Sequence, residues 1–281
     1  MIKSILKGIV IGIANIIPGV SGGTMMVSMG IYDKLIHCIT HLFSEFKKSV
    51  AFLFPIAIGM VIAIVGSSFG LEYLFAKFPI PTNLLFMGLI VGGLPAIWKN
   101  VKGSKIKAGH IIAFLLFFVV VAGLAIMGES EGKAADLTFN AINVIKLLGV
   151  GVVASATMVI PGVSGSMMLM LMGYYNPVLE TITDFIRALV SFDMKGILQG
   201  CTVLIPFGIG IVVGIFAIAK LVEIIFEKFP LYAYWAIIGL IVASPVAIVA
   251  MGDFSAFGLV NALVGIVTFI IGFGIARKLG D

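Results

Sequence analysis

Eight stretches of this 281-residue chain contain no Asp, Glu, Lys or Arg: 8–32, 49–71, 78–98, 108–128, 147–179, 196–219, 229–252 and 254–276. Each is long enough to cross a bilayer core, which takes roughly 20 apolar residues in a helix. Lipid offers the backbone no hydrogen bonds, so segments that enter it must satisfy their own amides and carbonyls, as helices do. Composition agrees: charged residues make up 11% of the chain and the mean hydropathy is +1.23, whereas a soluble domain is about a quarter charged. The expected fold class is an all-α integral membrane protein.

Two of these stretches contain residues that a spanning helix avoids. "IIPGVSGG" at 16–23 returns as "VIPGVSGS" at 159–166. Residues 16–35 match 159–178 at 10 of 20 positions, and residues 54–98 match 205–249 at 16 of 45, including Lys77-Phe78-Pro79 against Lys228-Phe229-Pro230. The chain is therefore an internal repeat, with halves at 1–136 and 137–281. The first stretch runs too long for the apolar core of a signal peptide and carries the repeated motif, so it is expected in the mature fold.

The placement of lysine and arginine sets the topology. Lys99, Lys102, Lys105 and Lys107 crowd one short loop, which marks a cytoplasmic loop rather than a nucleic-acid surface. If both motif segments turn back, the cytoplasmic side holds Lys3, Lys7, Lys34, Lys47, Lys48, those four lysines, Lys220, Lys228, Arg277 and Lys278, which is 13 of the 18 basic residues. If both span, the split is 9 against 9. The positive-inside rule favours turning back. The expected architecture is six transmembrane helices (49–71, 78–98, 108–128, 196–219, 229–252, 254–276) plus re-entrant helical hairpins at 8–32 and 147–179. Three crossings per half invert the second repeat, and both termini are cytoplasmic. Residues 33–48 and 180–195 are expected as interfacial connectors, and 129–136, with Glu129, Glu131 and Asp136, joins the halves outside.

Proline removes a backbone donor, and glycine permits tight turns. Such breaks are tolerated at membrane depth only where freed backbone groups face protein or a water-filled cavity, as at the midplane sites of secondary transporters. A helix restarting after Gly22 and Gly165 would aim free amides and a positive dipole end at an anion. The expected phosphate site comprises Asn15, Pro18, Gly19, Ser21, Gly22, Gly23 and Thr24 in the first copy, and Pro161, Gly162, Ser164, Gly165 and Ser166 in the second. Glycines can also serve close helix packing alone, but packing accounts poorly for a proline and a serine recurring at matched positions.

Other clusters receive plainer roles. Asp33, His37, His41 and Glu45 recur every fourth residue with spacing that a metal could use, and are expected as the wet face of an interfacial helix instead. Glu180, Asp184 and Arg187 share a face of the second connector, where Arg187 is a candidate for headgroup capture. Cys38 and Cys201 have no metal or redox spacing. Trp98, Trp235, Tyr73, Tyr174, Tyr175, Tyr232 and Tyr234 fall at expected helix ends, as aromatic belts do.

With "GIANIIPGVSGGTMMVSMGIYDKLI" at 12–36 and "SATMVIPGVSGSMMLMLMGYY" at 155–175, the sequence resembles the bacterial polyprenyl-phosphate transporter family across essentially its whole length. The resemblance implies a carrier that returns undecaprenyl phosphate from the outer to the inner leaflet of the cytoplasmic membrane, for reuse in cell-wall polymer synthesis. It implies no cofactor and no catalytic residue. The alternatives are an enzyme like the membrane undecaprenyl-diphosphate phosphatases, or a small-anion transporter. In the phosphatase family a similar proline-glycine-x-serine stretch continues with an arginine and a glutamate-rich motif adds further chemistry. Here glycine follows the serine in both copies and the charge-free stretches hold no internal acid, although phosphate cleavage needs charge stabilisation and a positioned base or nucleophile. The driving force is not visible in the sequence: unwound carbonyls could hold sodium and Asp33 or His37 a proton, but no intramembrane carboxylate stands out as a coupling site.

Overall fold

The computed structural model describes residues 2–16, 21–127, 133–252, 254–255 and 258–280. Among these residues every regular element is a helix: α1 (Ile2–Ile16), α2 (Gly22–Ser28), α3 (Tyr32–Thr40), α4 (Phe46–Lys77), α5 (Pro79–Trp98), α6 (Ala108–Met127), α7 (Ala141–Val159), α8 (Gly165–Leu171), α9 (Tyr175–Ser191), α10 (Met194–Lys228), α11 (Pro230–Met251) and α12 (Leu259–Gly280).

The elements repeat with the sequence. Helices α1 and α7 end 143 residues apart, and α2 and α8 are offset by 143 at both ends. Beyond the connectors the offset is 151: α4 and α10 end at Lys77 and Lys228, α5 and α11 start at Pro79 and Pro230, and α6 and α12 start at Ala108 and Leu259. The connectors carry the difference, α3 having 9 residues and α9 having 17. The Lys-Phe-Pro string explains the shared breaks. Proline cannot continue a helix but fits the first position of the next one, so each phenylalanine sits between two helices with a non-helical φ, −133° at Phe78 and −136° at Phe229.

Both motif segments double back. In the first, the Gly22 amide donates to Asn15 Oδ1 (3.1 Å) at the turn, and Lys7 Nζ donates to the Met29 carbonyl (2.8 Å) at the open end. In the second, Gly165 lies against Thr157 at the turn, while the Ala135 amide donates to the Gly173 carbonyl (2.9 Å) at the far end. The short helices each close on a left-handed glycine, Gly30 and Gly173.

Contacts group the chain into two compact units, residues 1–128 with 219–281, and residues 129–218. In the first unit α1 packs along α4, α5 along α12 and α6 along α11. Glycines set these approaches. A Cβ on Gly59 would fall on the backbone of Ile5 and Ile9, one on Gly88 on Phe269, and one on Gly239 on Phe114. Lipid supplies little hydrophobic drive between helices, so close backbone packing at small residues holds them instead. In the second unit α7 and α10 meet in the same register, with Gly151 at Phe207 and Gly210 at Leu148. Its core is Leu147, Val150, Ala154, Val178, Val203 and Phe207.

Helices α5 and α11, which are repeat counterparts, run antiparallel. Trp98 at the end of α5 meets Trp235 near the start of α11 edge-on, with ring centroids 5.9 Å apart, and Asn83 near the start of α5 lies beside Gly252 at the end of α11.

Among the described residues seven helices are long and apolar enough to cross a membrane, so this is a multi-pass membrane protein. Six of the seven contain or overlap the six expected spans; the seventh is α7, the 19-residue first arm of the second doubled-back segment. Helices α4 and α10 extend to 32 and 35 residues, past the expected 49–71 and 196–219. A charged residue ends an apolar stretch but not a helix, so Lys220, Glu223 and Glu227 lie inside α10.

Candidate functional site

In the first turn, Pro18 and Gly19, with Ile17 and Val20, lie outside the described residues. Ser21, the N-cap of α2, is in extended conformation (φ −102°, ψ 133°). An N-cap serine ordinarily turns its hydroxyl onto an amide of the helix it precedes, yet Ser21 makes no such bond although it is only 7% exposed. Gly22, Gly23 and Thr24 behind it are buried. The Thr24 hydroxyl is fully buried with no hydrogen-bond partner, and an unpaired buried hydroxyl costs about 1–3 kcal/mol.

The second turn repeats this arrangement with more access. Gly162, after buried Pro161, has φ +84°, a conformation glycine adopts without strain. Ser164 is the N-cap of α8 (φ −85°, ψ 127°) and again does not cap it. Its Oγ lies 2.9 Å from Ser166 Oγ, and Ser164, Gly165 and Ser166 are half-buried. Thr157 presses on Gly165 while donating to the Ala154 carbonyl at 2.6 Å.

Each turn thus gathers hydroxyls and first-turn amides, and no charged side chain occurs at residues 21–24 or 161–166. The amides of a helix's first turn have no partners within the helix. In the first copy Asn15 takes up the Gly22 amide, leaving the amides deeper in the turn. With seven residues each, α2 and α8 contribute little macrodipole, so hydroxyls and individual amides are the donors that matter. Such a surface suits an acceptor-rich, anionic group.

Arg187 is elsewhere. Its Nη1 donates to Asp184 Oδ1 (3.3 Å) on the exposed face of α9. Asp184 also borders a cavity of about 590 Å³, with Asp136, Thr138, Thr181 and Gln199. Asp136 is tied to Thr138 by the Thr138 amide and hydroxyl, both at 2.9 Å.

The acid–histidine stripe is divided by its partners. Asp33 Oδ2 accepts from the Tyr234 hydroxyl (2.9 Å). Burial raises the Asp33 carboxyl above its ordinary range, against the Tyr234 bond, which lowers it. Glu45 pairs with Lys48 at 3.3 Å. His37 and His41 stack, with ring centroids 4.2 Å apart, and both face Glu223 of α10. Sequence reading missed Glu223 because it lies beyond the apolar stretch; the available signal was its identity with Glu72, 151 residues earlier in the repeat.

A family model described as undecaprenyl phosphate translocase-like matches residues 11–257. The chain is 32% identical over 281 residues to a polyprenyl-phosphate transporter of Staphylococcus aureus (strain NCTC 8325), an alignment covering 99% of this chain and 95% of that protein. It is 27% identical over 213 residues to a polyprenyl-phosphate transporter of Vibrio cholerae serotype O1, covering 71% of this chain and 66% of that one. No solved structure matches the chain.

Proposed function

The chain belongs to the undecaprenyl phosphate translocase-like family, and we propose that it returns undecaprenyl phosphate from the outer to the inner leaflet of the bacterial cytoplasmic membrane, binding the headgroup at its two doubled-back turns. The observation that carries this reading is the pair of N-cap serines, Ser21 and Ser164, 143 residues apart, neither of which turns its hydroxyl onto a backbone amide of the helix it precedes; Ser164 meets the Ser166 hydroxyl instead. The unpartnered Thr24 hydroxyl adds a third donor at the first turn.

A lone charge at the bilayer centre costs at least a few kcal/mol. Hydroxyls and amides offset that cost by replacing water around the phosphate, and the polyprenyl tail stays in lipid throughout. The motif strings 16–23 and 159–166 contain no lysine or arginine, which suits a carrier that must release what it binds. Pro161 and Gly162 shape the second break, and Pro18 and Gly19 hold the matching sequence positions in the first copy; Gly22, Gly23, Gly165 and Ser166 line the turns; Arg187 on the second connector meets the headgroup at the outer surface.

Alternating access in such transporters uses repeats of opposite orientation. The antiparallel run of α5 and α11 supports an inverted second repeat with re-entrant hairpins. Gly30, Asp33, Lys99, Asn100 and Gly280 border one cavity of about 290 Å³, which groups the lysine-rich loop, the first connector and the C-terminal end at one face. That grouping supports cytoplasmic termini. A proton on Asp33, or sodium on the freed carbonyls, is the proposed coupling ion.

Native mass spectrometry tests the reading with undecaprenyl phosphate, undecaprenyl diphosphate and the neutral alcohol, on the natural chain and on a Ser21→Ala/Ser164→Ala variant. The expected result is preference for the monophosphate, lost in the variant, with no inorganic phosphate released from the diphosphate. Equal binding of the alcohol would make the turns packing devices, and steady phosphate release would make the protein an enzyme.

A further inference from the structure

We propose that His37, His41 and Glu223 form a binding site for a divalent transition-metal ion of the zinc class, fastening α3 to the end of α10. The inference stands apart from headgroup binding, because none of its residues belongs to the turns.

One ligand atom from each residue lies within 4.8 Å of the others. His41 Nδ1 is 3.3 Å and His37 Nδ1 is 3.5 Å from Glu223 Oε1. A tetrahedral zinc ion with bonds of about 2.0–2.1 Å holds its ligand atoms about 3.3 Å apart, so these separations are already those of a coordination edge. Histidines at i and i+4 of one helix, joined by an acid from another, are a donor set that borderline metals take up.

The hydrogen bonds around the acid hold it in place and leave one lone pair of Oε1 for a cation. Glu223 Oε1 accepts from the Thr40 hydroxyl at 2.8 Å, and both imidazole nitrogens converge on the same oxygen. A carboxylate oxygen has two lone-pair sites. Thr40 takes one of them, and a metal ion among the two nitrogens and the oxygen takes the other, with His41 Nδ1 turning to it from Thr40 Oγ1 (3.0 Å) and the His37 carbonyl (3.2 Å). Lys220 holds Oε2 at 2.7 Å, so the carboxylate offers a single oxygen, and Thr40 and Lys220 together fix its direction as outer partners of metal ligands do. Asp33 and Glu227 border the adjoining cavity of about 280 Å³ with His37 and Glu223. Their negative charge offsets Lys220, and the cavity gives water a path to the fourth position.

The test is a cobalt(II) titration of the full chain, purified in detergent with a histidine-free affinity tag and stripped with chelator. The expected result is one equivalent of Co²⁺ bound with the visible absorption of a tetrahedral complex, displaced by Zn²⁺, and bound at least tenfold more weakly by monodisperse His41→Gln and Glu223→Gln variants. Absence of such absorption in the natural chain would overturn the site whatever the variants do. Equal uptake by a His37→Gln/His41→Gln chain would overturn it as well.

Discussion

The side-chain oxygen of Asn15 accepts a 3.1 Å hydrogen bond from the backbone amide of Gly22, closing the first doubled-back turn across seven residues. A Cβ at position 22 would run into the Asn15 side chain, which would have to move and give up this bond. In the second copy the position matching Asn15 is Met158, which is exposed and has no oxygen to offer, and Thr157 presses on Gly165 instead. The two turns are therefore closed by different side chains.

A double-mutant cycle reads the contact directly. Gly22→Ala is expected to lower stability by about 1–3 kcal/mol, the usual cost of overpacking. In an Asn15→Ala background the cost should shrink by about 1 kcal/mol or more, because the obstacle is gone. Thermal unfolding of the four detergent-solubilised proteins measures it, and equal costs in both backgrounds would remove Asn15 from the account.

Thr24→Val separates ligand binding from folding. Replacing a buried, unpartnered hydroxyl by a methyl group removes an unmet polar group, so stability should hold or rise. Affinity for undecaprenyl phosphate should fall about tenfold to 150-fold, the equivalent of one hydrogen bond to a charged group. Unchanged affinity would take Thr24 out of the headgroup site.

Two glycines on α10 should respond in opposite ways to alanine. A Cβ on Gly210 would meet the Leu148 backbone of α7, which cannot give way, whereas Gly208 faces open space. Gly210→Ala should unfold at a lower temperature, while Gly208→Ala should be neutral or gain up to about 1 kcal/mol of helix propensity. Matched unfolding temperatures would show that α7 and α10 do not depend on this contact.

Accessibility tests the inverted repeat. In a Cys38→Ala/Cys201→Ala background, Lys195→Cys is expected to react with a membrane-impermeant maleimide added to intact spheroplasts, and Lys102→Cys only after lysis. Labelling of both from the same side would place the second connector and the lysine-rich loop on one face and end the inverted assignment.

Much of the fold was legible because burial in lipid leaves few options. Runs of residues such as 108–128 without a charge have to be helices, and the Lys-Phe-Pro strings mark helix junctions by proline geometry alone. What sequence reading could not see is how far a helix continues once charges return. Lys220, Glu223 and Glu227 extend α10 because Thr40 and Lys220 satisfy Glu223, a compensation supplied partly by a residue 183 positions away.

The same division holds at the site. Local sequence determined that the chain breaks at Ser21 and Ser164, because proline and glycine act on their own backbone. Only the tertiary structure decided where the freed groups went: the Gly22 amide to Asn15, the Thr24 hydroxyl to no partner, and His37 and His41 to a glutamate of α10. Breaking a helix is a property of a few consecutive residues, whereas satisfying a polar group depends on which distant helix packs beside it.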